Sequence, residues 1–311
     1  MNPINNNSGW RNGKSSNSLN EVFASVQIPK DGSFKKKLLA YMGPGLLVAV
    51  GYMDPGNWAT DIAGGAQFGY TLLSVILISN LFAILLQHLS VKLGVVAERD
   101  LAQACKDHFH PAVNFVLWIF CEIAIAACDL AEVIGSAIAL NLLFGIPLSV
   151  GVVITIIDVF LILFLQAKGF RYIESIVGGL IFIIFIAFFY EIFLSKPDLF
   201  PLLEGLIPKK EIITNQSMLY IAIGILGATV MPHNLYLHSS IVQTRDYPRT
   251  TEGKKEALKF ASIDSSLSLM LAFVINAAIL IIAAATFHTS GNKDVADIND
   301  AYMLLTPLLG T

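Results

Sequence analysis

The chain of 311 residues is 55% hydrophobic and 14% charged, and its net charge at pH 7 is −3. A soluble domain carries about 25% charged residues, so the composition excludes an ordinary soluble protein and indicates an integral membrane protein. No nucleic-acid partner is expected, and the three cysteines, Cys105, Cys121 and Cys128, form no C-x-x-C pattern that would predict a zinc site or a disulfide framework.

The first part of the chain, residues 1–33, is rich in Asn and Ser and is predicted to be disordered and cytoplasmic. It lacks the apolar core of a cleaved signal peptide. After it come seven apolar stretches that each reach the roughly 20 residues a membrane-spanning helix needs. We place them at about Leu38–Gly69, Tyr70–Leu93, Val113–Phe144, Pro147–Gln166, Ile173–Leu194, Tyr220–Ile241 and Ile263–Phe287.

The first and third stretches are overlong, which fits a tilted, kinked or broken helix. Between the second and third, the segment Ala97–His110 is predicted to form an interfacial helix. Basic residues concentrate in the N-terminus and the even-numbered connections, and the exceptions are Lys196, Lys209, Lys210 and Lys293. Because basic residues stay on the cytoplasmic side, the N-terminus is predicted to be cytoplasmic.

The first stretch is interrupted by Asp54-Pro55-Gly56-Asn57. Pro55 removes a backbone donor and Gly56 relaxes the backbone, so the helix is predicted to unwind and to free carbonyl groups near Gly51. Backbone that leaves the helix at mid-membrane depth lines a cavity or is buried in protein. Asp54, Asn57 and a freed carbonyl would then offer hard oxygen ligands around one point. The alternative is a kink in which Asp54 only caps the following half-helix.

The sixth stretch is interrupted in the same way by Met231-Pro232-His233-Asn234. Pro232 breaks the helix and leaves the Ala228 carbonyl free, and the soft thioether of Met231 favours transition metals, although a Met in an apolar span is also common core filler. His233 could be a ligand, a proton carrier or a hydrogen-bonded structural residue. A pair of broken helices in corresponding halves of a chain points to a transporter's substrate site.

The third stretch carries Glu122, Asp129 and Glu132, which face broadly one way on a helix. Such a face points into the bundle or a wet channel, where acidic residues relay protons; the alternative is a structural network with basic partners. Weaker candidates lie near the ends of spans or half-helices, where solvation or pairing is easy: Asp61, Asp158, Glu174, Glu191 and Asp264. His238 is expected to be solvated near the cytoplasmic end.

Five motifs occur together: Asp54-Pro55-Gly56-Asn57, Met231-Pro232-His233-Asn234, the flanks Gly43-Pro44-Gly45 and Tyr52-Met53, and the pair Asp129-x-x-Glu132. Together they resemble the Nramp family of divalent metal transporters, of the bacterial manganese type, from about residue 34 to the end of the chain. The resemblance implies an all-α polytopic membrane protein with the leucine-transporter fold, built from two five-helix inverted repeats whose helices 1 and 6 are broken. It also implies proton-coupled import of Mn²⁺ or Fe²⁺, with Cd²⁺, Co²⁺ and Zn²⁺ accepted.

Carried over residue by residue, the resemblance implies that Asp54 and Asn57 bind the ion by their side chains. Met231 would bind through sulfur, and Ala228 through its carbonyl. Gly51 stands where the family can contribute a further carbonyl. Asp129, Glu132 and His233 match residues linked to proton movement. No cofactor is expected, because the metal ion is the substrate.

The resemblance also divides the chain. Residues 34–195 would form the first five-helix repeat, residues 196–216 an extracellular loop, and residues 217–311 the start of the second repeat. Family members have eleven or twelve spans and seven are predicted here, so the chain is expected to lack later helices and not to transport alone. The protein is expected in the plasma membrane as a monomer.

Alternatives from other classes remain open from the residues alone. A sodium-coupled amino acid transporter of the same fold is the nearest, although its substrate site would favour small residues over Met and Asp together. A seven-helix receptor is disfavoured by the cytoplasmic N-terminus, and a cation channel by the two broken helices. No phosphate loop, zinc-protease motif, hydrolase elbow or nucleophile–base set occurs in the sequence, so an enzyme is not predicted.

Overall fold

The computed structural model describes residues 18–19, 21–29, 31–166, 169–295 and 298–309. In this part the chain is almost entirely helical. Its helices are α1 (Phe34–Tyr41), α2 (Pro44–Gly51), α3 (Pro55–Phe68), α4 (Leu73–Lys92), α5 (Leu101–His108), α6 (Pro111–Phe144), α7 (Leu148–Gln166), α8 (Phe170–Ser195), α9 (Leu199–Gly205), α10 (Glu211–Thr214), α11 (Gln216–Thr229), α12 (Pro232–Ile241), α13 (Thr251–Ala283) and α14 (Ile298–Leu309).

Two short strands, β1 (Val26–Gln27) and β2 (Arg245–Asp246), pair in parallel. This pairing differs from the disorder predicted for residues 1–33, of which 1–17 lie outside the described part. The physical reason is local apolar content: Ile28 packs against the core beside Tyr41 and Val242, and the Ala24 N–H donates to the Gln243 carbonyl at 3.1 Å.

Both interruptions predicted from proline and glycine are present in the structure. α2 ends at Gly51 and α3 begins at Pro55, so the chain between them is outside any helix. α11 ends at Thr229 and α12 begins at Pro232. In each case the proline occupies the first turn of the second half-helix, where its missing N–H removes no hydrogen bond.

Within the described residues, five helical segments are long and apolar enough to cross a membrane: Pro55–Ala97, Pro111–Phe144, Phe170–Ser195, Gln216–Thr244 and Thr251–His288. Leu148–Leu161 is a shorter apolar helix. The count of seven spans therefore remains a prediction, because the break divides the first predicted span into the shorter helices α2 and α3. α5 lies within the predicted interfacial segment and is capped by Asp100 in a capping box.

The long helix α13 forms the centre of the bundle and packs against α2, α3, α4 and α8. Small residues allow the closest approach. A Cβ at Gly65 of α3 would overlap the Leu280 carbonyl of α13, and one at Gly45 of α2 would overlap the Asp264 backbone. By contrast, α6, α7 and α8 leave large apolar side chains exposed along much of their length, as a lipid-facing surface requires.

Candidate metal-binding site

Asp54 stands at the start of α3 with extended backbone angles, φ −71° and ψ 166°. One carboxylate oxygen, Oδ1, accepts hydrogen bonds from the Asn57 N–H and from the Asn57 amide, both at 2.8 Å. The other, Oδ2, lies 3.9 Å from the Cys128 thiol of α6. The predicted capping role is therefore present, and it occupies only one of the two oxygens.

Met231 lies in the gap between α11 and α12 and is 5% exposed. It packs in one apolar cluster with Val48 and Ala49 of α2 and with Tyr52. The structure thus brings the second break against the end of the first half-helix. Gly51 completes this contact, because a Cβ there would overlap the buried amide of Asn234.

Asn57 joins the two breaks directly. It is 1% exposed, and its amide nitrogen donates to Asp54 Oδ1 and, at 3.0 Å, to the Ala228 carbonyl. The Thr229 hydroxyl lies 3.4 Å from the Asn57 amide oxygen. Asp54 and Asn57 therefore meet Ala228, which lies 171 residues after Asn57, at one point, with Met231 and Gly51 beside them.

This set of atoms has a clear chemical preference. Asp54 and Ala228 present oxygen acceptors to the same N–H₂ group of Asn57. Rotating that amide by 180° would place its oxygen beside the other two, and three acceptors without a donor attract a cation. In the described part, no group of three or more His, Cys, Asp or Glu side chains could hold a metal ion. Any metal site here is therefore built from mixed donors, with one carboxylate.

The acidic residues of α6 lie at the edge of this centre. Asp129 and Glu132 are exposed, and the Cys128 thiol lies 3.9 Å from the Glu132 carboxylate as well as from Asp54. His233 is half-buried, within range of electrostatic interaction with Asp54 and Asp129. Its Nδ1 is buried and has no hydrogen-bond partner among the described residues. Glu122 is exposed two turns earlier on α6.

The family model for "Natural resistance-associated macrophage protein-like" proteins, Nramp, matches residues 45–311. The chain belongs to the Nramp family. The resemblance predicted from the five motifs is thereby confirmed.

Named relatives of this Nramp chain are transporters. "Divalent metal cation transporter MntH" of Nostoc sp. is 66% identical over 293 residues, which are 94% of this chain and 66% of the relative. The protein of the same name from Listeria welshimeri is 64% identical over 302 residues, 97% of this chain and 67% of the relative. The expectation of a transporter family rather than an enzyme agrees with these names.

Solved structures of a bacterial manganese transporter are similar to this chain. A manganese transporter of Eremococcus coleocola, in complex with an aromatic bis-isothiourea substituted compound, superposes with a TM-score of 0.83 at 49% identity, covering 90% of this chain and 58% of that one. A mutant of the same transporter gives a TM-score of 0.80 at 50% identity, covering 87% and 56%. The Nramp chain spans about two thirds of the length of its curated relatives.

Two polar residues of the Nramp chain are placed differently from the prediction. His238 is fully buried rather than solvated, because α4 packs against α12: the His238 Nδ1 lies 2.9 Å from the Gln87 oxygen, and the Gln87 amide donates to the Tyr52 hydroxyl at 3.0 Å. Asp61, expected where solvation or pairing is easy, is 1% exposed and its Oδ2 has no hydrogen-bond partner among the described residues, since α11 and α13 both pack against α3.

The buried chain Tyr52–Gln87–His238 was not apparent from the sequence. The only signal was a glutamine inside an apolar helix. Glu174 and Asp264, by contrast, are paired as expected: Glu174 with Arg245 and Arg171, and Asp264 with the backbone N–H groups of Gly43 and Gly45. The side chain of Asp158 lies outside the described residues.

Proposed function

We propose that the protein is a secondary transporter that imports divalent transition-metal ions, with Mn²⁺ and Fe²⁺ as the main substrates and Cd²⁺, Co²⁺ and Zn²⁺ also accepted. The observation that carries the proposal is the Asn57 bridge, which joins the Asp54 carboxylate to the Ala228 carbonyl across two helix breaks. The names of the relatives support the same substrate class.

The ion would be held by mixed ligands. Asp54 supplies the charge through Oδ2, which the helix cap leaves available, while Asn57 and the carbonyls of Ala228 and Gly51 supply neutral oxygen. Met231 adds sulfur. Ca²⁺ and Mg²⁺ prefer oxygen alone, whereas softer transition metals accept a thioether. This donor set therefore favours transition metals over the more abundant hard cations.

Proton coupling would use the acidic edge of the site. A metal ion that binds the Asp54 carboxylate would displace its proton to a neighbouring acceptor, and that acceptor would pass the proton inward with the metal ion. His233 is within range of electrostatic interaction with Asp54 and Asp129 and would accept the displaced proton. Glu132, linked to Asp54 through the Cys128 thiol, extends the route along α6. Glu122 is not assigned a step.

The architecture proposed for this activity is the leucine-transporter type with alternating access. Residues 34–195 form the first repeat of five spans, 196–216 an extracellular loop and 217–311 the start of the second repeat, after a cytoplasmic segment 1–33. Consistent with this topology, α6, α8 and α13 all end beside α14 at one end of the bundle. The protein acts in the plasma membrane as a monomer and needs no cofactor. An amino acid transporter is not proposed, since the relatives carry metal-transporter names.

The test is uptake of Mn²⁺ by the full-length protein in proteoliposomes, followed with a metal-sensitive dye, with and without an inward proton gradient. We expect the gradient to accelerate uptake, and indifference to it would remove proton coupling. Asp54→Ala should abolish Mn²⁺ binding in calorimetry. Asp246→Asn, which removes an exposed carboxylate on β2, is the matched control and should bind normally. Unchanged affinity in Asp54→Ala would overturn the proposed site.

A further inference from the structure

A cavity lies beside α3, against the face of the helix that carries Trp58 and Ile62. It has a volume of about 200 Å³ and is enclosed by α3, α6, α8, α13 and α14. Trp58 lines it and directly follows Asn57 in the chain, so consecutive residues of α3 face the two sites. The proposed metal transport assigns this cavity no role.

The walls of the cavity are aromatic and aliphatic except at one point. Trp58, Phe188, Phe287 and Tyr302 supply rings, and Trp58 and Phe188 meet edge to face with centroids 5.2 Å apart. The single acidic group in the lining is Glu191, near the end of α8. Aliphatic side chains from α13 and α14 fill the remaining wall.

Glu191 is unpaired among the described residues. In the part of the chain that the structure describes, no hydrogen bond or ion pair reaches its carboxylate, whereas Glu174 on the same helix is paired with two arginines. A carboxylate in apolar surroundings is costly unless it is neutralised or paired with a cation. The lining offers no basic side chain and Glu191 is half-buried, so a cationic occupant of the cavity would be its ion-pair partner.

The shape and charge of the cavity define that occupant. Aromatic faces attract cations as well as apolar groups, and a pocket that is apolar with one convergent polar group binds a ligand in one orientation. A volume of about 200 Å³ suits a molecule with one aromatic ring and a small cationic group. We propose that this cavity binds single-ring aromatic monocations, with the ring packed against the paired rings of Trp58 and Phe188 and the cationic group on Glu191.

An occupant would also affect α3. It would contact Trp58 of α3, one turn after Asp54, together with Phe188 of α8 and Ile279 of α13. A filled cavity would hinder any movement of α3 towards α8. Such a ligand would therefore slow metal uptake without competing with the metal ion for Asp54.

Binding can be measured without any transport activity. The chain has three tryptophans, Trp10, Trp58 and Trp118, so substituting Trp10 and Trp118 by Phe leaves Trp58 as the sole fluorescent reporter at the cavity. Benzamidine, a one-ring cation, should change this fluorescence with saturation, and neutral benzamide should bind at least about tenfold more weakly. Equal binding of the two compounds, or no saturable response, would overturn the proposal.

Two variants locate the site. Glu191→Gln keeps the shape and removes the charge, and it should weaken benzamidine at least about tenfold while leaving benzamide unchanged. Ala301→Leu fills the cavity from α14 and should weaken both compounds. Glu204→Gln, on an exposed carboxylate of α9, is the matched control and should have no effect. Unchanged benzamidine affinity in Glu191→Gln would place the ligand elsewhere.

The effect on transport is a separate measurement. Benzamidine should lower the maximal rate of Mn²⁺ uptake with no change in half-saturating Mn²⁺, and Glu191→Gln should relieve this inhibition. Relief by excess Mn²⁺ would instead show competition at Asp54 and contradict the proposed mode of action. Absence of Mn²⁺ uptake by the full-length protein without any ligand would contradict the proposed function and leave the fluorescence result standing.

Discussion

Two carboxylates of this bundle, Glu174 and Asp54, differ in how their charge is compensated. Glu174 is 3% exposed and receives Arg245 at 2.8 and 3.0 Å and Arg171 at 3.1 Å. Asp54 receives only Asn57 and the Cys128 thiol, and no ion pair reaches it within the described residues. The first is neutralised inside the protein, while the second keeps a net charge beside a polar centre.

The compensated cluster is a joint between helices. Arg245, which follows α12, also donates to the Met42 carbonyl at 2.8 Å, and Asp264 of α13 accepts the Gly45 N–H at 2.8 Å at the start of α2. Gly43 lies at φ 142°, and a Cβ there would overlap the Glu174 carboxylate. The comparison shows that a paired carboxylate fixes structure and an unpaired one is available for a ligand.

Arg245→Met tests the paired carboxylate, Glu174, and should have the largest effect on stability. Arg245 and Glu174 are both almost fully buried, and removal of one partner leaves an uncompensated charge, which costs about 3–5 kcal/mol. We expect a large fall in the midpoint of thermal unfolding in detergent. A second variant, Arg245→Met with Glu174→Gln, should recover part of the loss; no recovery would show that Arg245 acts through the Met42 carbonyl alone.

Asp54→Asn tests the carboxylate that has no ion pair among the described residues. Asn caps a helix about as well as Asp, so the midpoint of thermal unfolding should remain within a few degrees of the parent protein. The affinity for Mn²⁺ should fall about a hundredfold, which corresponds to about 2.7 kcal/mol. Calorimetry and a thermal scan on the same preparation check both parts. A destabilised Asp54→Asn protein would show that this carboxylate too is structural.

Met231→Leu tests which metal ions the centre around Asp54 selects. Leu conserves the volume of a buried Met at a cost of less than about 1.5 kcal/mol but removes the sulfur. We expect Cd²⁺ binding to weaken about tenfold, or about 1.4 kcal/mol, and Ca²⁺ to compete better against Mn²⁺. Competition uptake with the three ions measures this. Unchanged rejection of Ca²⁺ would assign selectivity to the oxygen ligands.

Arg171→Gln should have the smallest effect. The Arg171 side chain is 46% exposed, and exposed ion pairs contribute about 0–1 kcal/mol, so Arg245 alone should keep Glu174 neutralised. The thermal midpoint should hardly change. A loss as large as that of Arg245→Met would mean that the two arginines act as one unit.

The sequence predicted the features that depend on local chemistry. Pro55 and Pro232 break their helices wherever the rest of the fold lies, so both breaks were found. Contacts between distant segments are different. The Asn57–Ala228 bond and the burial of His238 and Asp61 depend on which face of one helix another helix covers. Hydropathy reports only that a residue lies in a span, so His238 was predicted to be solvated and Asp61 was left open between solvation and pairing.

Glu191 also shows that position within one helix does not predict contacts with distant segments. It was grouped with residues that are easily solvated or paired, as Glu174 was, because both lie near an end of one apolar stretch. Glu174 meets Arg245, a residue that lies 71 positions further along the chain, and Glu191 meets an aromatic cavity. Spacing along one helix carries no information about either neighbour.

The cap at the start of α3 has a consequence for the sign of the ion that the centre attracts. The free N–H groups and the dipole at the start of a helix make it an anion-binding position, with a partial charge of about +0.5. Here Asp54 Oδ1 already accepts the Asn57 N–H, so the chain itself supplies the anion. With that positive end satisfied, the carbonyl end of α11 at Ala228 and the remaining Asp54 oxygen leave the centre an attractor of positive ions.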